Sequence, residues 1–177
     1  VVTHGQGLNW IQVTITGRES HTGSTPMPMR KNAGLGMAKI TELVQEIAMS
    51  HQPAAVGGIG QCDVYPNSRN IIPGKVVFTI DFRSPSFDVQ DDMETRLYSG
   101  AKKIAKDLDL EIEFEKVGHF DPVTFDEGCV DNLNETKHVI LLVTASTSDY
   151  NNQQSVKIYN DYKLGLSMAL LISGRIF

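Results

Sequence analysis

Lys75-Val76-Val77-Phe78-Thr79-Ile80-Asp81-Phe82-Arg83 is the stretch on which the fold turns. Val76, Phe78, Ile80 and Phe82 occupy one side of a two-residue repeat. Lys75, Val77, Thr79, Asp81 and Arg83 occupy the other. That period belongs to a strand with one buried face. Arg83 therefore points away from the core at the strand's far end, and Pro85 stops the ladder because it has no N–H to give. Just upstream, Pro73-Gly74 and the cluster Pro66-Asn67-Ser68-Arg69-Asn70 read as two turns.

Downstream of this strand the period changes. Over residues 88–107, Met93, Leu97, Ala101, Ile104 and Leu108 form one helical stripe. Asp88, Asp91, Asp92 and Glu94 crowd its first turns and Lys102, Lys103 and Lys106 its last, the distribution that a helix dipole favours. A final strand from Leu110 to Val117 sets Leu110, Ile112 and Phe114 opposite Glu111, Glu113 and Glu115. Upstream, residues 54–66 read as an irregular strand whose Gly57, Gly58 and Gly60 allow a bulge or a close backbone approach. Before it, Ala33, Met37, Ile40, Val44 and Ile47 mark a helix from Arg30 to about Ser50. Pro28 precedes its body and Pro53 helps to end it. Residues 8–16 alternate once more, with Ile11, Val13 and Ile15 on the apolar side.

The order is strand, helix, strand, strand, helix, strand. It predicts an α+β fold: a ferredoxin-like βαββαβ sandwich, with a four-stranded antiparallel sheet covered on one face by two helices. The other face carries Thr, Lys, Glu and Arg and is either solvated or turned toward another domain or subunit. Residues 1–119 are expected to form this domain and residues 120–177 a separate segment. In that segment Val139–Val143 reads as a buried strand, 146–155 as a polar loop and 164–172 as a short buried helix or strand. The chain opens on Val1-Val2-Thr3 and reads as an excised piece.

Composition narrows the partners. The chain has 177 residues, 41% hydrophobic and 21% charged, and a formal net charge of -5. That balance argues against nucleic acid or an anionic membrane as the main partner, since both reward a basic face. No secretory signal and no apolar run of membrane-spanning length is visible, so a cytoplasmic location is expected. Cys62 and Cys129 lie far apart and belong to no metal-ligand pattern, so both read as small buried or half-buried thiols.

Chemistry concentrates in Glu19-Ser20-His21-Thr22-Gly23-Ser24-Thr25-Pro26-Met27-Pro28-Met29-Arg30. A polar loop at the mouth of a helix is a common place to display function. Its glycine, hydroxyls and prolines suit a stiff, donor-rich loop that aims the His21 imidazole at a developing oxyanion. Against this stands the plainer reading of a histidine that caps its own turn. Arg83 offers a planar fork for a carboxylate, and Asn70 offers an amide donor that strand pairing could bring near it. Alternatively they are a solvated arginine and a turn asparagine. His4, His51, His119 and His138 lack ligand-like spacing, and no HExxH, CxxC, phosphate loop or nucleophile elbow is present. His119 and Asp121 read as part of a turn.

Taken together, Gly17-Arg-Glu-Ser-His21-Thr-Gly-Ser-Thr-Pro26-Met-Pro-Met-Arg30 followed by Ala33, and Pro66-Asn-Ser-Arg-Asn70-Ile-Ile-Pro73-Gly74-Lys-Val-Val-Phe-Thr-Ile-Asp81-Phe-Arg83, resemble one family. It is the N-carbamoyl-L-amino-acid hydrolase, allantoate amidohydrolase and β-ureidopropionase group, within the dizinc aminoacylase/carboxypeptidase-type hydrolases. The resemblance spans residues 1–130 or so and fades after Asp131. It implies a lid and dimerisation domain inserted in a catalytic domain that holds two divalent metal ions, zinc or manganese. His21 would stabilise the oxyanion, and Asn70 and Arg83 would hold the substrate carboxylate. The implied reaction is metal-assisted hydrolysis of a carbamoyl C–N bond in a small ureido acid. The implied partners are the missing catalytic domain and, through the lid, a second copy. The family's metal ligands are not found here, so this chain alone is expected to bind no dizinc centre and to be inactive. The alternatives are a non-catalytic dimerisation or binding module, and the lid of a related dipeptidase or aminoacylase.

Overall fold

The computed structural model describes residues 2–136 and the two short strands Lys157–Ile158 and Leu170–Leu171. Four long strands build its one large sheet: β1 (Gly7–Thr16), β2 (Val56–Tyr65), β3 (Lys75–Ser84) and β4 (Glu111–Phe120). Their order in space is β2-β3-β1-β4, with every pairing antiparallel. Helices α1 (Ala33–Ser50) and α2 (Phe87–Asp107) follow β1 and β3 in the chain. This is the expected βαββαβ sandwich.

The core is the layer between the helices and one sheet face. Ile11, Val13 and Ile15 of β1 and Val76, Phe78, Ile80 and Phe82 of β3 are buried there, the sides that the two-residue period assigned to the core. Ile40, Val44 and Ile47 of α1 and Met93, Leu97 and Ala101 of α2 close over them. Burial of such side chains is the main favourable term in folding.

Local signals fix the helix ends. Asn32 caps α1 by accepting the Leu35 N–H at 3.1 Å, so the helix starts three residues later than Arg30. The preceding residues Met27–Met29 form a 3-10 turn. Ser86 caps α2. Its first turn holds Asp88 and its last Lys106, as the dipole favours.

Three local expectations require correction. β4 continues to Phe120, beyond the expected end at Val117, because a register shift against β1 between Trp10 and Ile11 lets pairing resume. His119 is therefore a strand residue opposite Asn9, not part of a turn. Cys62 and Cys129 are exposed, not buried. Cys62 follows the shift in β2 between Ile59 and Cys62, where strict alternation of faces is lost.

The chain divides into two compact units, Gln6–Val123 and residues 1–5 with 124 onward. In the second, helix α3 (Glu127–Thr136) begins after Asp126, whose side chain accepts the Cys129 N–H at 2.9 Å. Leu170–Leu171 pairs antiparallel with Lys157–Ile158. The readings of 139–143 and 146–155, and of the rest of 164–172, lie outside the described residues. Among the described residues no helix is long and apolar enough to cross a membrane.

Candidate functional site

His21 sits on a small strand pair built from Ser20–His21 and Ile71–Ile72. The loop beyond it is held mainly by main-chain acceptors. Thr22 N–H donates to the Asn70 carbonyl at 2.8 Å, and Thr25 N–H to the His21 carbonyl at 3.1 Å. Arg30 bridges the loop, donating through Nε to the Thr25 carbonyl at 2.9 Å and through Nη2 to the Thr22 carbonyl at 2.6 Å. Arg18 donates to the Met29 carbonyl at 2.7 Å. Two guanidinium groups thus hold the loop, and side-chain bonds to ionised donors are the stronger kind.

The imidazole is exposed, and its two nitrogens differ. Nδ1 accepts the N–H groups of Gly23 at 3.0 Å and Ser24 at 3.2 Å. A backbone N–H can only donate, so Nδ1 must be the lone-pair nitrogen of the neutral ring and Nε2 must carry the proton. Among the described residues Nε2 has no partner. The loop presents one N–H donor outward, the arrangement an oxyanion requires.

Asn70 is exposed beside this loop. Its Oδ1 accepts the Ser68 hydroxyl at 3.0 Å, and among the described residues its amide nitrogen has no partner. His21 and Asn70 are therefore brought together through the Thr22–Asn70 backbone bond.

Arg83 lies elsewhere. The His21 loop leaves the end of the sheet where Thr16 faces Lys75 and Gly17 N–H meets the Gly74 carbonyl at 2.7 Å. Arg83 pairs with Leu8 and Val56 at the opposite end, eight residues further along β3. At the usual rise per strand residue that is roughly 26 Å. Strand pairing thus separates Asn70 from Arg83 within one copy of the chain.

The Arg83 side chain is on the open sheet face, half-exposed, and it is gripped by Asp81. Nε lies 3.1 Å from both carboxylate oxygens and Nη2 lies 2.7 Å from Oδ2. The hydrogen bond that Arg83 donates to Asp81, opposed by burial and aided by the carboxylate's charge, raises the Arg83 pKa further. The guanidinium stays charged at any working pH. The two-residue period puts Asp81 on the same face as Arg83, but the sequence reading did not name it as the arginine's partner.

A cleft of about 400 Å³ behind the His21 loop is lined by Arg18, Met29, Arg30, Lys31, Asp107 and Asp109. Its cations are already engaged, Lys31 with Asp109 at 2.6 Å and both arginines with loop carbonyls. Among the described residues no group of three or more His, Cys, Asp or Glu could hold a metal ion. The donors among those residues do not fit a resident metal.

At the Arg83 end, a polar network ties β1, β4 and α2 together. Asn9 donates to Glu94 at 2.8 Å, and Lys116 Nζ lies 2.8 Å from both Glu94 oxygens. Gln90 Nε2 bonds Asn9 Oδ1 at 3.3 Å and the Phe120 carbonyl at 3.2 Å. His119 meets Asn9 Oδ1 through Nδ1 and Asp121 through Nε2 at 3.0 Å.

Residues 3–109 match the family described as the peptidase dimerisation domain. Over 133 residues the chain is 58% identical to an N-carbamoyl-L-amino-acid amidohydrolase of Rhizobium meliloti, a match covering 75% of this chain and 32% of that protein. It is 29% identical over 123 residues to the allantoate amidohydrolase of Escherichia coli strain K12, covering 70% and 30%. Among solved structures, an amidase of the hydantoinase/carbamoylase family from Burkholderia multivorans superposes with a TM-score of 0.75 at 42% identity, covering 76% of this chain and 33% of that one. The chain spans about a third of the length of the curated relatives it matches.

Proposed function

Because the chain belongs to the peptidase dimerisation domain family and its relatives are amidohydrolases, we propose that it grips substrate and pairs subunits for a metal-dependent amidohydrolase. The reaction is hydrolysis of the carbamoyl C–N bond of an N-carbamoyl-L-amino acid or a related ureido acid. Residues 1–119 serve as the lid and dimerisation domain and residues 120–177 as the return toward a catalytic half. The two divalent metal ions, zinc or manganese, belong to that half and not to the residues described here.

The observation that carries this reading is the His21 ring, with Nδ1 fixed by the Gly23 and Ser24 N–H groups and Nε2–H turned outward. His21 donates that proton as a hydrogen bond to the ureido oxygen while negative charge builds there. The amide of Asn70 and the guanidinium of Arg83 hold the carboxylate.

A single copy keeps Arg83 far from His21, so a shared site calls on two copies. The β2 edge suits such pairing. Asp63 is its one carboxylate. The β4 edge instead exposes Glu111, Glu113 and Glu115, which self-pairing would crowd. Two β2 strands related by a two-fold axis perpendicular to the sheet run antiparallel. The His21 end of one copy then lies on the same side as the Arg83 end of the other.

The test is an assay of the full-length enzyme and of the 177-residue chain on N-carbamoyl-L-amino acids with added zinc or manganese. Hydrolysis by the former alone is expected. Metal-bound, active 177-residue chain overturns the proposal.

A further inference from the structure

Arg83 has five N–H donors, and the structure distinguishes them. Asp81 occupies the side edge of the guanidinium, taking the Nε–H and one Nη2 hydrogen. Among the described residues the end edge, with Nη1 and the outer Nη2 hydrogen, has no partner and is left for a second carboxylate. A guanidinium that accepts two carboxylates on its two edges keeps the planar, two-pronged match on each. Asp81 faces Gly58 across β2, where an added Cβ would meet nothing within 4 Å, and Trp10 across β1. The open face therefore has room for a ligand next to the pair.

We propose that Asp81 is a positioning residue: by clamping the side edge of Arg83 it locks the arginine rotamer so that the end edge faces the substrate carboxylate. This rests on the assignment of Arg83 to that carboxylate. Arginine loses several free torsions when it binds an anion. A fixed partner removes that loss before the substrate arrives. The clamp therefore acts on binding, not on the bond-breaking step.

Two measurements test it. In the full-length enzyme, Asp81→Asn is expected to raise KM for the carboxylate-bearing ureido substrate about tenfold, the order of one charge-assisted hydrogen bond. The kcat stays within about twofold. Asp81→Glu, which keeps the charge, restores KM toward wild type. In the Arg83→Ala background Asp81→Asn adds nothing further, since the two residues act as one unit. If Arg83→Ala raises KM but Asp81→Asn leaves it unchanged, the positioning role is wrong. If Arg83→Ala itself leaves KM unchanged, the underlying assignment is wrong. The second measurement is the Nε–H resonance of Arg83 in the 177-residue chain. Slow solvent exchange that is lost in Asp81→Asn supports the clamp, and rapid exchange in wild type overturns it even where a variant misfolds.

Discussion

The N–H of Gly23 donates to Nδ1 of His21 at 3.0 Å, and this contact assigns the proton of the neutral ring to Nε2. A histidine free to turn in its loop would spend much of its time with the wrong nitrogen outward. Here the Ser24 N–H reinforces the choice. At a pH where the ring is neutral, nitrogen-15 shifts of His21 should identify Nδ1 as the unprotonated atom and Nε2 as the protonated one. The opposite assignment would contradict the site.

The same geometry makes a kinetic prediction. In the full-length enzyme His21→Ala should lower kcat by about 100-fold, the usual loss for one oxyanion donor, with KM little changed. An unaltered kcat would remove His21 from the reaction.

Gly17 anchors the base of the loop, where β1 ends. A Cβ at this position would lie 2.7 Å from Leu110 Cδ2 and 2.9 Å from the Lys31 carbonyl carbon. The backbone of Lys31 cannot yield without pulling on the start of α1. Gly17→Ala should therefore destabilise the domain by about 1–3 kcal/mol, read as a lower Tm. An unchanged Tm would mean that this corner is looser than its contacts imply.

Tyr98 gives the fold an alkaline limit. Burial, helped by its 2.8 Å hydrogen bond to Glu94, pushes its pKa up to about 12. Phe114 packs edge-on against the ring, with centroids 4.9 Å apart. The folded chain thus favours the protonated phenol more than the unfolded chain does. This contribution is complete below the ordinary tyrosine range and is lost as pH rises through about 12. Tyr98→Phe should flatten the fall of stability with pH across that window, measured by urea unfolding. An identical slope in both proteins would contradict the coupling.

Much of the fold was legible because both periods are clean. The alternation of Val76, Phe78, Ile80 and Phe82 and the stripe of Ile40, Val44 and Ile47 each point at one core, and all seven side chains are buried. The reading failed where a strand slips register. The shift near Trp10 hid the last turn of β4 and misplaced His119, and the shift near Ile59 brought Cys62 to the surface. The network of Asn9, Gln90, Glu94, Lys116 and His119 joins residues from three elements, and no local pattern announces it. The separation of Asn70 from Arg83 was readable in principle, since a whole strand stands between the turn that bears one and the end that bears the other.

Subunit exchange tests the central claim most directly. Assayed with substrate below the wild-type KM, full-length His21→Ala and Arg83→Ala enzymes should each be nearly inactive as homodimers. Mixed and allowed to exchange, half of the dimers become hybrids, and each hybrid holds one site with both residues intact. Activity should return to about a quarter of wild type. No recovery from a mixture that sedimentation shows to contain hybrids would mean that His21 and Arg83 do not meet across two copies.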